Sequence, residues 1–189
     1  MTDAAYWDWR YASGQTSGAG SYGKNAEYKA SVVNTFLAEI GATSVLEFGC
    51  GDGNQLSYYH IPVYRGLDVS RKAIELCRKR HPRAELSLYE PGDLGLGMYD
   101  ATICLEVLMH VSDESEFVRT LDDIFGHASK GVLIQTTLEA RPHGEGTQEW
   151  HRDFLPYLER YPDFRILRIV EAPKPDMICD FILLERTCN

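Results

Sequence analysis

Apolar positions recur along this chain in two alternating rhythms. Short apolar runs at Ser44–Phe48, Val63–Leu67, Ala84–Tyr89, Asp100–Leu105 and Val132–Thr137 have the length and composition of buried strands. Between them apolar residues return every three or four positions, as on one face of a helix. Ala26, Ala30, Val33, Leu37 and Ile40 predict a helix from about Lys24 to Ile40, stopped by Gly41. A second helix is expected to start near Asp52 and to carry Leu56. Ser70 is placed to cap a third, which uses Ala73, Ile74 and Cys77 and gathers Lys79, Arg80 and His81 in its last turn before Pro82. Phe117, Leu121, Ile124 and Phe125 mark a fourth, from Ser112 or Asp113 to Gly126.

Apolar strands alternating with amphipathic helices imply an α/β fold, a mostly parallel sheet covered on both faces. The linker Glu90–Tyr99 is too short for a full crossover helix. After the polar loop Glu139–Gly146 a further helix is expected from Thr147 to Arg160. Phe164–Val170 and Ile178–Leu184 then alternate as a strand pair around the Pro173-Lys-Pro175 turn, which puts a hairpin and one antiparallel strand at the end.

Residues 1–23 have neither rhythm. Tyr6, Trp7, Trp9 and Tyr11 precede a glycine- and serine-rich run from Ser13 to Gly23. Two readings stand: a lid with aromatic anchors over a site, or a frayed terminus whose rings patch the core edge. The chain thus divides into 1–23, the aromatic segment and loop, and 24–189, one domain.

The 189 residues carry a net charge of −9, which argues against a nucleic-acid or anionic-membrane partner. No apolar run is long enough for a membrane span, and the start lacks a secretory signal pattern. The five cysteines are odd in number and show no C-x-x-C spacing, which favours reduced thiols in a cytoplasmic protein over a disulfide framework or a metal site.

Candidate chemistry concentrates where the first strand ends. Val45-Leu-Glu-Phe-Gly-Cys-Gly-Asp-Gly-Asn54 runs from a strand into a glycine turn, and a second strand ends on Asp68. The glycines Gly49, Gly51 and Gly53 let backbone approach a ligand closely. Asp68 follows Gly49 by about 20 residues, the separation at which a carboxylate meets a ribose. No G-x-x-x-x-G-K-[ST] sequence is present, and Asn54 stands where dinucleotide binders place a third glycine.

The E-x-G-x-G-x-G turn with Glu47, the acid Asp68, the pair Asp93-Leu94 and the stretch Tyr99–His110 together resemble the class I S-adenosylmethionine-dependent methyltransferases. The resemblance covers roughly residues 20–185. It implies a Rossmann-like, doubly wound seven-stranded sheet, with S-adenosyl-L-methionine as cofactor and S-adenosyl-L-homocysteine as product. Backbone at Gly49, Cys50, Gly51 and Gly53 would face the methionine part and the sugar, with Asn54 and Gln55 beside it. Asp68 would accept from both ribose hydroxyls. Asp93 would hold the adenine amino group, with Val69 and Leu94 against the ring. Ser70, Leu105 and Glu106 complete the expected cofactor set. Glu47 either orients the turn or the cofactor's ammonium, or is a structural carboxylate.

On the acceptor side, His110 stands just past the fourth strand, where ligands bind in such sheets. It is either a base or substrate contact, or a histidine packed in its loop. Glu106 is a second candidate, and a buried, hydrogen-bonded acid is its other reading. Glu149-Trp-His-Arg-Asp-Phe154, with Ser17–Gly23 and Cys50–Gln55, resembles a subset of the superfamily that often accompanies glycan biosynthesis, although Gln148 stands where a further histidine is expected. His151 and Arg152 either hold an anionic acceptor or form an exposed polar helix start. Tyr6, Trp7 and Tyr22 complete the expected acceptor side. The implied reaction is methyl transfer to an oxygen of a small molecule or saccharide. N- or S-methylation of a natural-product precursor is an alternative, which an apolar acceptor pocket without Arg152 would favour. A non-catalytic S-adenosylmethionine-binding module and a nicotinamide-linked oxidoreductase are the others.

Overall fold

The computed structural model describes residues 2–92, 95–144, 147–173 and 177–187. Helix α1 (Asp3–Ala12) leads through a short 3-10 turn into α2 (Gly23–Glu39) and strand β1 (Ser44–Phe48). Then come β2 (Val63–Asp68), α3 (Arg71–Arg80), β3 (Glu85–Leu88), β4 (Tyr99–Leu105), α4 (Glu114–Gly126), β5 (Ala128–Thr136), β6 (Phe164–Val170) and β7 (Asp180–Arg186). The strands form one sheet in the order β3-β2-β1-β4-β5-β7-β6. The first five run parallel, and β7 is antiparallel to both β5 and β6. This is the mostly parallel sheet that the alternating pattern implies, in the Rossmann-like arrangement that the resemblance implies.

Side-chain alternation assigns the two faces. Leu46, Phe48, Cys104, Val132 and Ile134 pack against Phe117, Leu121 and Ile124 of α4. Val45, Ala101, Ile103 and Leu133 pack against Val33, Phe36 and Leu37 of α2. Ser70 accepts from the Ala73 amide at 3.1 Å and Asp113 from the Glu116 amide at 2.9 Å, so each caps its helix as its position suggests.

Three expectations change. The helix near Asp52 is only a 3-10 turn, Gln55–Tyr58. Gly53, at φ 77°, turns the chain away from a helical path, and a Cβ there would stand 2.7 Å from Cys77 Sγ. The helix expected over Thr147–Arg160 shrinks to a 3-10 turn at Leu155–Arg160, because Pro156 lacks the N–H that a longer helix needs. The opening segment, read as an anchor or frayed end, contains the ten-residue helix α1 capped by Thr2. The Pro173-Lys-Pro175 turn lies largely outside the described residues, as do Asp93, Leu94 and Cys188. Among the described residues, no helix is long and apolar enough to cross a membrane.

Candidate active site

The strand order reverses between β1 and β4, and a crevice opens at the carboxyl ends of strands there. The cavity in that crevice measures about 770 Å³. Gly49, at φ 78°, leads the chain out of β1, and a Cβ on it would run into Val107. Gly51 (φ 56°) brings its amide to 2.8 Å from Asp68 Oδ2, while the Ser70 amide lies 2.9 Å from Oδ1. Asp68 is buried, and that burial pushes its carboxyl up to about 6 against the two backbone bonds that favour the charge. Glu47 is buried too and pushed up to about 7, although it accepts hydrogen bonds from Tyr64 and from Tyr59, the latter at 3.0 Å.

Helix α1 forms the roof. At one end Asp3 accepts from the Ser112 amide at 2.9 Å, past β4. Toward the other end Asp8 accepts from the Ser70 hydroxyl at 2.6 Å and the Lys72 amide at 3.0 Å, at the start of α3. The roof is thus tied to both banks of the cleft. The glycine-serine loop behind it clasps the glycine turn. Asp52 accepts from the Ser17 amide (3.2 Å), the Tyr22 hydroxyl (2.7 Å) and Arg80 (3.3 Å), and Asn54 donates to the Ser21 carbonyl.

Beneath the roof Trp7 meets the His110 ring edge-on, centroids 5.0 Å apart. His110 Nδ1 lies 2.6 Å from the Gln148 carbonyl, which can only accept, so Nδ1 carries the proton and Nε2 the lone pair. Burial lowers the His110 pKa below the ordinary imidazole value, opposed by that carbonyl bond. Glu106, at φ 55°, is the one left-handed non-glycine residue among the described residues, and its carboxylate pairs with Lys29.

With this geometry the family profile named Methyltransferase domain matches residues 22–168. The chain belongs to that methyltransferase family. A phthiotriol/phenolphthiotriol dimycocerosates methyltransferase 1 of Mycobacterium ulcerans is 29% identical over 120 residues, covering 61% of this chain and 44% of that protein. The Mycobacterium tuberculosis methyltransferase of similar name is 43% identical over 47 residues, 23% of this chain and 17% of its own. The matches therefore span less than half the length of these curated relatives. Among solved structures, magnesium protoporphyrin IX methyltransferase from Synechocystis, with bound S-adenosylmethionine, superposes with a TM-score of 0.72 at 18% identity, covering 99% of this chain and 98% of that one. A sugar N-methyltransferase from a Streptoalloteichus species gives 0.71 at 16% identity, over 88% and 90%. These structural likenesses establish the shared fold.

S-adenosylmethionine is the methyltransferase family's cofactor, and the cleft residues fit it. The cavity lies within the about 300–1,000 Å³ typical of small-molecule sites. Each Asp68 oxygen accepts one backbone bond and retains a second lone pair for a hydroxyl. Gln55 lies on the wall with a buried Oε1 that has no partner. Glu47, Gly49, Cys50, Gly51, Val69, Leu105 and Glu106 line the same cavity, as do His110, Tyr6 and Trp7.

Other candidates stand away from the methyltransferase cleft. Gly53 packs the turn on α3, Asn54 holds the loop, and Ser70 caps α3. Tyr22 points to Asp52. His151 lies between Thr137 Oγ1 (3.0 Å) and Glu149 (3.3 Å). Arg152 donates to Glu114 at 2.8 Å, with its guanidinium 4.2 Å from the Phe117 ring centroid. Asp93 and Leu94 lie outside the described residues.

Sequence reasoning passed over Lys29, Asp52 and Asp8. Lys29 had a visible signal: it interrupts the apolar stripe of Ala26, Ala30 and Val33. Asp8 had none, since its partners are far away along the chain.

Proposed function

We propose that this chain transfers the methyl group of S-adenosylmethionine to a hydroxyl oxygen of a small acceptor, held under α1 beside β4. Residues 1–23 are, on this reading, the closing segment and the remainder the methyltransferase domain. The bound cofactor supplies an electrophilic methyl on a good leaving group. The chain's residues supply position, dryness and a proton acceptor. Trp7 and Tyr6 make an aromatic wall, and the roof tethers at Asp3 and Asp8 exclude water. His110 Nε2 takes the proton as the acceptor's O–H bond breaks, and Nδ1–H to Gln148 steadies the resulting imidazolium.

One observation carries this reading: a neutral imidazole on the cleft wall whose tautomer is fixed with Nε2 unprotonated. Replacing it tests the reading. His110→Ala should lower kcat for a hydroxylated acceptor by roughly 10²- to 10⁴-fold. Affinity for S-adenosylhomocysteine, measured by calorimetry, should stay near wild type. Undiminished turnover would remove the imidazole from the reaction.

A second reading is favoured by the aromatic wall and by the commitment of Arg152 to Glu114 and Phe117. An apolar pocket without that cation suits N- or S-methylation of a natural-product precursor. An amine already unprotonated needs no base, so His110→Ala would then retain most activity on an amine acceptor.

A further inference from the structure

Helix α1 turns one face into the cleft, and Asp3, Tyr6, Trp7 and Arg10 stand on it at helical spacing. Asp3 is committed to Ser112. Arg10 has no such counterpart. Among the described residues, every other half-buried arginine pairs with a carboxylate: Arg65 with Glu85, Arg152 with Glu114, Arg168 with Glu39 and Arg186 with Asp163. Arg10 is half-buried as well, yet its contacts there are neutral. Its Nε–H donates to the Thr16 carbonyl at 2.9 Å, Nη1 reaches the Tyr6 hydroxyl at 3.5 Å, and the guanidinium carbon lies 5.5 Å from the Trp7 ring centroid.

These contacts aim the guanidinium without neutralising it. Its five N–H donors form a rigid fork, and among the described residues Nη2 has no acceptor. The Tyr6 hydroxyl accepts from Nη1, so its own hydrogen is left to donate. Fork and phenol thus present donors together on the cavity wall, which is the arrangement that receives an oxyanion. The site of proton removal is near. Trp7 touches Arg10 and also meets the His110 ring, centroids 5.0 Å apart. Burial first, and the charge of Arg10 in addition, lower the His110 pKa, so both groups act on one space.

We propose that Arg10 and Tyr6 bind a carboxylate of the acceptor, so that the substrate is a hydroxy acid whose acid end lies against α1 while its hydroxyl meets His110 Nε2. The proposal rests on the reading of this cleft as a site of O-methylation. A carboxylate matches better than a phosphate. One uncommitted cation stands in a cavity that Glu90, Glu116 and Glu149 also line, and a dianion is repelled there more strongly than a single charge. The indole of Trp7 between the two groups suits an apolar body joining acid and hydroxyl.

Calorimetry on the full chain saturated with S-adenosylhomocysteine tests this with 3- and 4-hydroxybenzoate against the matching hydroxybenzamides, which keep ring and hydroxyl but lose the charge. Wild type should bind at least one acid roughly 10- to 100-fold more tightly than its amide. Arg10→Met should erase that preference. Arg10→Lys should keep part of it, since a point charge lacks the fork, and Tyr6→Phe should weaken the acid alone by about threefold. S-adenosylhomocysteine should bind each variant within about threefold of wild type. No preference for the acid in either pair overturns the subsite, as does a preference that survives Arg10→Met. If Arg10→Met does not fold, wild type alone decides, and tighter binding of 4-hydroxyphenyl phosphate than of the acids overturns the carboxylate. Mass spectrometry after incubation with S-adenosylmethionine separates this proposal from the reading beneath it. An acid that binds through Arg10 but gains no methyl on its hydroxyl ends the O-methylation reading and leaves the carboxylate receptor. Equal methylation of acid and amide ends the receptor and leaves O-methylation.

Discussion

Each oxygen of Asp68 accepts one amide, from Gly51 or from Ser70, so the carboxylate shapes the glycine turn before any ligand arrives. The same group faces the cleft, and a diol would find its remaining lone pairs. Asp68→Asn removes one acceptor and sets an NH₂ against a backbone N–H. Affinity for S-adenosylhomocysteine should fall by roughly 10- to 100-fold, as expected for hydrogen bonds to a charged acceptor. Calorimetry with a parallel melting curve separates this from loss of fold. At His110 the sign is also fixed. Its pKa lies below 6.5, so the unprotonated base prevails at neutral pH. The kcat profile of an O-methylation should stay level through neutral pH and fall only on the acid side of the ordinary imidazole range, and His110→Ala should lack that limb. The glycines and the acid Asp68 were legible because each had a place in a short local pattern. Lys29 left only the trace of a polar residue in an apolar stripe and Asp52 left none, since a buried cation or a hydrogen-bond hub is defined by what folds onto it.

Among the elements, strands were read best. Each buried strand is an apolar run whose ends need no distant information, and β1 and β6 begin and end where the pattern places them. Helices were read well where a cap and a stripe agree, as at Ser70 and Asp113. They were misread where a breaker outweighed the pattern, at Gly53 and Pro156. Helix α1 was invisible because its ten residues, DAAYWDWRYA, are stabilised by docking rather than by a single apolar stripe. That dependence can be measured. The double variant Asp3→Ala/Asp8→Ala removes both tethers while leaving the sheet untouched. Hydrogen exchange over residues 3–12 should accelerate strongly, with strand amides unchanged, and dissociation of S-adenosylhomocysteine should quicken. Protection of α1 equal to wild type would show that the aromatic packing alone holds the roof.

For the molecule as a whole, two buried carboxyls set a pH dependence. Glu47 and Asp68 have folded values of about 7 and about 6, above the ordinary 4.5 and 3.8. Groups raised in this way favour the fold fully below about pH 4, and that contribution is lost as pH rises through 6 to 7. His110 pulls the other way, since its folded pKa is lowered, so a direct comparison of variants isolates the acids. Without ligand, the melting temperature of wild type relative to Glu47→Gln should drop by several degrees between pH 5 and 8, on the scale of about 2–4 °C per kcal/mol for a chain of this size. A constant difference across that range would show that Glu47 keeps its ordinary acidity. The tethers of α1 also have a consequence in time. Asp8 reaches Ser70 and Lys72 across 62 and 64 positions, and Asp3 reaches Ser112 across 109. Contacts of such long range close late in folding. Helix α1 is therefore among the last elements to settle, and the groove beneath it lies uncovered until the sheet is complete.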